Sequence, residues 1–127
     1  FDMFWSHDMW KEGARDIGGE KIVQLGLAIN PDTPLDAILP YMEKIDFVQC
    51  MGIAKIGYQK QPFDDRVLGV VYTIRVIYPH SPISIDGSVN IETAGLFKSA
   101  GATRLVSGSA IFSAEDVSEA ILSLQNA

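Results

Sequence analysis

The chain has 127 residues, 47% hydrophobic and 20% charged, a composition that fits one soluble globular domain. Its formal net charge of -6 argues against a nucleic-acid partner, because phosphate backbones select basic surfaces, yet it leaves room for a small phosphorylated ligand held by backbone N–H groups. The single cysteine, Cys50, excludes an internal disulfide and sets a reducing, cytoplasmic compartment as the expectation, and no apolar run approaches the roughly 18 residues that would span a bilayer.

Residues 4–17 are mixed in pattern, with room for a short helix ended by Gly18-Gly19. Residues 21–29 (KIVQLGLAI) are apolar and β-branched, as a strand buried on both faces should be. The turn Asn30-Pro31-Asp32-Thr33-Pro34 puts Thr33 at an N-cap and Pro34 at the first position of a helix predicted over 35–42. A second strand is predicted over 46–51, followed by a loop over 52–62 rich in Gly, Gln and Lys. Val67, Leu68, Val71, Ile74 and Tyr78 fall at helical spacing in a long helix over 63–78, and Pro79 and Pro82 bracket the next connection. Residues 83–86 (ISID) form a third strand ending in Gly87-Ser88. Asn90 then caps a helix that runs to Ala100 and stops at Gly101. Residues 104–107 (RLVS) form a fourth strand ending in Gly108-Ser109. The last helix opens at residues 113–116 and carries Val117, Ala120, Ile121 and Leu124 on its apolar face.

Four strand-then-helix units imply an α/β fold with a parallel sheet covered by helices. Two architectures compete. A chain of this length suits an open doubly wound sheet, because a closed barrel takes about 250 residues. The chemistry at the strand ends favours half a barrel, and in either case sites form at the C-terminal ends of the strands.

Asp86 places a carboxylate at one such end, which suits a general base or a metal ligand; a turn aspartate accepting backbone N–H groups is the plain alternative. Gly87-Ser88 and Gly108-Ser109 follow the last two strands, where barrels commonly bind phosphate, although two ordinary glycine turns would look the same. The loop after Met51 is long and carries Gly52, Gly57 and Tyr58, as a substrate-covering loop would. Met51 itself is more often core packing, and Lys55 and Lys60 more often solvated charges. Asn30 suits a turn cap better than an inward-facing ligand contact.

In order along the chain, four segments then resemble the ribulose-phosphate 3-epimerase family. They are Gly26-Leu27-Ala28-Ile29-Asn30-Pro31 with Thr33-Pro34; Met51 with Gly57-Tyr58, Gln61 and Phe63; Ile85-Asp86-Gly87-Ser88-Val89-Asn90 with Thr93-Ala94; and Gly101-Ala102 with Val106-Ser107-Gly108-Ser109-Ala110-Ile111-Phe112. They are similar to strands five to eight of that family over about residues 22–112. Two departures stand out: Ala54-Lys55-Ile56-Gly57-Tyr58 replaces the family's Pro-Gly-Phe, and Ser88 replaces a glycine.

The resemblance implies a (β/α)8 barrel whose C-terminal half is this chain, residues 1–127 as one domain, in a carbohydrate-metabolic isomerase. It implies interconversion of D-ribulose 5-phosphate and D-xylulose 5-phosphate, or a close relative, through an ene-diolate. Two aspartates on opposite faces move the C3 proton, and a divalent metal ion (zinc, iron, manganese or cobalt) stabilises the oxyanion. Asp86 would be one aspartate and a metal ligand, Met51 and Gly57 would line the substrate site, and Gly87, Ser88, Gly108 and Ser109 would cradle the phosphate. The family's other aspartate and its histidine ligands belong to strands one to three. His7 does not match a family histidine convincingly, and His80, beside Pro79, is expected to be solvated.

The chain opens on Phe1 rather than Met and without a signal-peptide pattern, so a processed product or a segment of a longer one is expected. A half-barrel exposes two sheet edges and its interior, so a homo-oligomer, or pairing with an N-terminal half, is the expected assembly. A phosphate-binding or oligomerising half-barrel without catalysis is the alternative function.

Overall fold

The structure is a computed structural model that describes residues 23–53 and 62–127. Its centre is a four-stranded sheet, β1 (Gly26–Ile29), β2 (Phe47–Met51), β3 (Ile83–Asp86) and β4 (Arg104–Val106), in the order β1-β2-β3-β4. Each neighbouring pair is parallel. Sequential order separates the two candidate architectures. A doubly wound sheet reverses its strand order at a switch point and carries helices on both faces. Here successive crossovers step the same way, as around a barrel wall.

One face of the sheet holds the core. Ile29, Val48, Cys50, Ile83 and Ile85 form one buried cluster with Val67, Val71, Ile74 and Phe97 from the helices. Phe97 is fully buried and meets Phe63 edge-to-face at 5.5 Å between centroids. Strand side chains alternate, so the residues between them point to the opposite face. There stand Ala28, Gln49, Met51, Ser84, Asp86 and Val106. In a closed barrel this face lines the interior.

The predicted strands are recovered with trimmed ends: the first begins at Gly26 rather than at 21, and the fourth ends at Val106. The helix predicted over 35–42 is instead two 3-10 turns, Leu35–Ala37 and Leu39–Tyr41. Pro40 explains the break, because it has no N–H to donate and its ring clashes with the preceding turn. Thr33 does not cap a helix; its Oγ1 accepts the Asn30 N–H at 2.9 Å and closes the turn backwards.

The long helix, α1, runs Arg66–Ile77. It starts later than predicted, after Asp64, whose carboxylate accepts from Arg66 N at 3.1 Å and pairs with the Arg66 guanidinium at 2.6 Å. The second helix, α2 (Ile91–Ala100), has the expected ends: an Asn90–Thr93 capping box and a left-handed Gly101, φ 116°. A short helix, α3 (Ser109–Phe112), follows β4, where the sequence predicts only a strand end and its loop. The last helix, α4 (Val117–Asn126), opens at Asp116, whose side chain accepts from Glu119 N. No residue of α4 is fully buried: of its predicted apolar face Ala120 and Leu124 are half-buried, whereas Val117 and Ile121 are exposed. The helix expected over 4–17 lies outside the described residues.

Candidate functional site at the strand ends

Register brings the two central residues together. Met51 and Asp86 are Cα partners across β2 and β3, and Asp86 pairs in turn with Val106 of β4. All three sit at the last residue of their strands, on the face away from the helices. Met51 is 8% exposed, whereas Asp86 is half-buried. Gln49, one pair below Met51 on the same face, donates its side-chain amide to Asp86 Oδ2 at 3.4 Å and to Met51 Sδ at 3.9 Å. The sequence motifs alone miss Gln49. A signal exists in the strand pattern: period-two alternation puts a lone amide beside Met51, on the face of Asp86.

Directly after Asp86 the backbone turns left-handed twice, at Gly87 (φ 100°) and Ser88 (φ 53°). Gly87 needs its missing Cβ for the first; Ser88 carries a side chain in a conformation that ordinarily favours glycine. The turn is tied down from two sides. Thr93 Oγ1 donates to Ser88 O at 2.5 Å, and Ser107 Oγ donates to Val89 O at 3.0 Å. The second bond joins the loop after β3 to the loop after β4, so the Gly87-Ser88 and Gly108-Ser109 turns lie side by side.

Gly52 presses on this turn from β2. Its N–H donates to Asp86 O at 2.8 Å, and a Cβ on Gly52 would collide with the Gly87 carbonyl oxygen. Gly108 is different. Its φ is -116° and a Cβ there would meet nothing within 4 Å, so neither backbone nor neighbours demand glycine. The missing side chain leaves open space beside the strand end.

The N-terminus of α2 is less available to an anion than its place suggests, because Asn90 Oδ1 already accepts from Glu92 N and Thr93 N at 2.9 and 3.1 Å. A cavity of about 490 Å³ between Asn90-Ile91 and α4 is rimmed by Glu115, Asp116 and Glu119. That negative rim disfavours a phosphate there.

Among the described residues no three His, Cys, Asp or Glu side chains gather as a metal cluster. Asp86 therefore stands as one carboxylate donor and does not complete a metal site with the other described residues. His80 is exposed, as expected. Cys50 faces the core, and burial pushes its thiol up to about 12, which keeps it protonated and unreactive. Gly57 and His7 lie outside the described residues. No helix among the described residues is long and apolar enough to cross a membrane.

A model of the Ribulose-phosphate 3 epimerase family matches residues 11–112. A ribulose-phosphate 3-epimerase of Schizosaccharomyces pombe is 36% identical over 107 residues, covering 84% of this chain and 46% of the relative. The cytoplasmic isoform from Oryza sativa subsp. japonica is 30% identical over 122 residues, covering 94% and 53%. The Bacillus subtilis enzyme is 34% identical over 107 residues, covering 80% and 49%. The chain thus spans about half the length of the curated relatives it matches. Among solved structures, 3-hexulose-6-phosphate synthase, a TIM-barrel enzyme, superposes with a TM-score of 0.62 at 21% identity, covering 97% of this chain and 57% of that one. That likeness speaks for the fold.

Proposed function

Since the chain belongs to the ribulose-phosphate 3-epimerase family, we propose that it forms the C-terminal half of a sugar-phosphate 3-epimerase barrel in which Asp86 moves the C3 proton. The placement of Asp86 carries this reading. It ends β3 on the interior face, in register with Met51, and the Gly87-Ser88 and Gly108-Ser109 turns follow on its own and the next strand. A ketose C3–H is acidified by the neighbouring C2 carbonyl. The Asp86 carboxylate takes that proton, the electron pair enters an ene-diolate, and a second acid on the opposite face returns a proton with inversion. Met51 presents an apolar wall beside the planar intermediate. Gly87, Ser88, Gly108 and Ser109 anchor the phosphate and so fix which carbon faces Asp86.

The second acid is not among the described residues. A divalent metal would take Asp86 as one ligand and stabilise the developing oxyanion. Its remaining ligands are not among the described residues either, so no step here passes through it. In this reading the substrate is D-ribulose 5-phosphate or a close relative, the compartment is the cytoplasm, and the open face is covered by an N-terminal half or a second copy. The partial coverage of the relatives keeps a second reading in view, a half-barrel that binds phosphate without turning it over.

Titration of the chain, followed by amide NMR, tests the site without requiring turnover. Inorganic phosphate should move the resonances of Gly87, Ser88, Gly108 and Ser109, and D-ribulose 5-phosphate should move these together with Asp86 and Met51. Gly108→Ala should weaken both while leaving the melting temperature unchanged, because the added methyl fills ligand space and touches no protein atom. Shifts confined to other regions would remove the strand ends as the site.

A further inference from the structure

We propose that Gln49 is a positioning residue for Asp86, its side-chain amide holding carboxylate Oδ2 so that Oδ1 meets the ligand in a fixed orientation. The inference rests on the reading of Asp86 as the proton-transfer group and adds to it a residue that none of the matched motifs contains.

Three observations carry it. First, the register sets two long side chains, Gln49 and Arg104, on either side of Ser84 one step beneath Asp86, and the Arg104 guanidinium lies over the Phe47 ring at 5.2 Å, which leaves Gln49 to reach the carboxylate. Gln49 pairs with Ser84, one step beneath the Met51–Asp86 pair, and its lateral neighbours Ala28 and Ser84 are small, so nothing blocks its extended side chain. Second, the amide nitrogen lies within donor range of both groups that flank the site, Asp86 Oδ2 at 3.4 Å and Met51 Sδ at 3.9 Å. Its two N–H groups therefore point up the strand towards the mouth. Third, among the described residues this is the one side-chain hydrogen bond that the Asp86 carboxylate receives. Without it the carboxylate can rotate about its Cβ–Cγ bond, and proton abstraction from carbon is sensitive to that angle. At 3.4 Å the bond is long, as such bonds often are before a substrate is present. An amide suits this role because it donates to a carboxylate and carries no charge that would compete with the substrate.

The test has a spectroscopic arm and a kinetic arm. In the 127-residue chain, the side-chain amide of Gln49 is assigned as the 1H–15N pair that disappears in Gln49→Met. Its protons should lose their downfield shift in Asp86→Ala, and in Asp86→Asn the shift should shrink, because the neutral amide oxygen accepts more weakly than the carboxylate. Unchanged Gln49 amide resonances in both variants overturn the inference. For the kinetic arm, the chain is combined with the first half of the Schizosaccharomyces pombe relative. Gln49→Met should lower kcat about 10- to 100-fold with KM unchanged. Gln49→Glu should lower it further, by setting two carboxylates against each other. A kcat equal to that of the parent in Gln49→Met also overturns it. A combined parent with no turnover would instead sink the proton-transfer reading, and the spectrum would still decide whether Gln49 holds the carboxylate.

Discussion

Two glycines at one turn show what single residues contribute. Gly52 abuts the Gly87 carbonyl, so Gly52→Ala should force the Asp86–Gly87 corner apart and destabilise the chain by about 1–3 kcal/mol, measured by urea unfolding. The matching substitution at Gly108 meets open space, so equal losses at both positions would contradict the distinction between a glycine fixed by packing and one that faces open space. Cys50 gives a pH prediction. Its folded thiol is raised to about 12 from an ordinary value of 9.0, so between those values the unfolded state releases its proton first. Its contribution to stability is therefore complete below pH 9 and is lost as pH rises towards 12, with a slope of about 1.4 kcal/mol per pH unit for this one group. Cys50→Ser should flatten that slope, and an unchanged slope would mean that other groups set it. At this scale the strand-end place of Asp86 is legible in the sequence, because a carboxylate followed by Gly87 closes a short strand conspicuously. Gln49 is hidden, because what matters about it is a distance to Asp86, 37 residues away.

Elements whose signals are local are legible. Asn90 and Gly101 bound α2 correctly because capping geometry depends on a few adjacent residues. The segment after β1 is not: Pro34 argues for a helix start, while Pro40 forbids the helix from continuing, and the compromise is a pair of 3-10 turns. Arg75 shows a tertiary link that no local pattern announces. From α1 its guanidinium donates to Gly101 O at 2.8 and 3.1 Å and to Pro79 O at 2.7 Å, satisfying carbonyls beyond the ends of both helices. Arg75→Ala should lower stability by about 1–3 kcal/mol in chemical denaturation, and Arg75→Lys should recover only part of it, since an ammonium cannot span the same acceptors. Full recovery by lysine would show that charge, not the planar fork, is what counts.

At the scale of the described residues, the parallel sheet has two open edges. Among the described residues β1 and β4 each have one strand neighbour, and Val106 on the interior face is 42% exposed. Unpaired edges favour association, so sedimentation at micromolar concentration should show a dimer or larger species. A monodisperse species of 13.9 kDa would contradict that expectation. Architecture is ambiguous in the sequence because length suggests an open sheet; the order β1-β2-β3-β4 with helices on one face resolves it. If Asp86 moves a proton on a sugar phosphate, as proposed, turnover of D-ribulose 5-phosphate depends on its carboxylate. With the first half of the barrel supplied in trans, the parent chain should epimerise the substrate. Asp86→Asn should lower kcat by about 10²- to 10⁴-fold with the fold intact. Turnover by Asp86→Asn equal to the parent's would contradict the account.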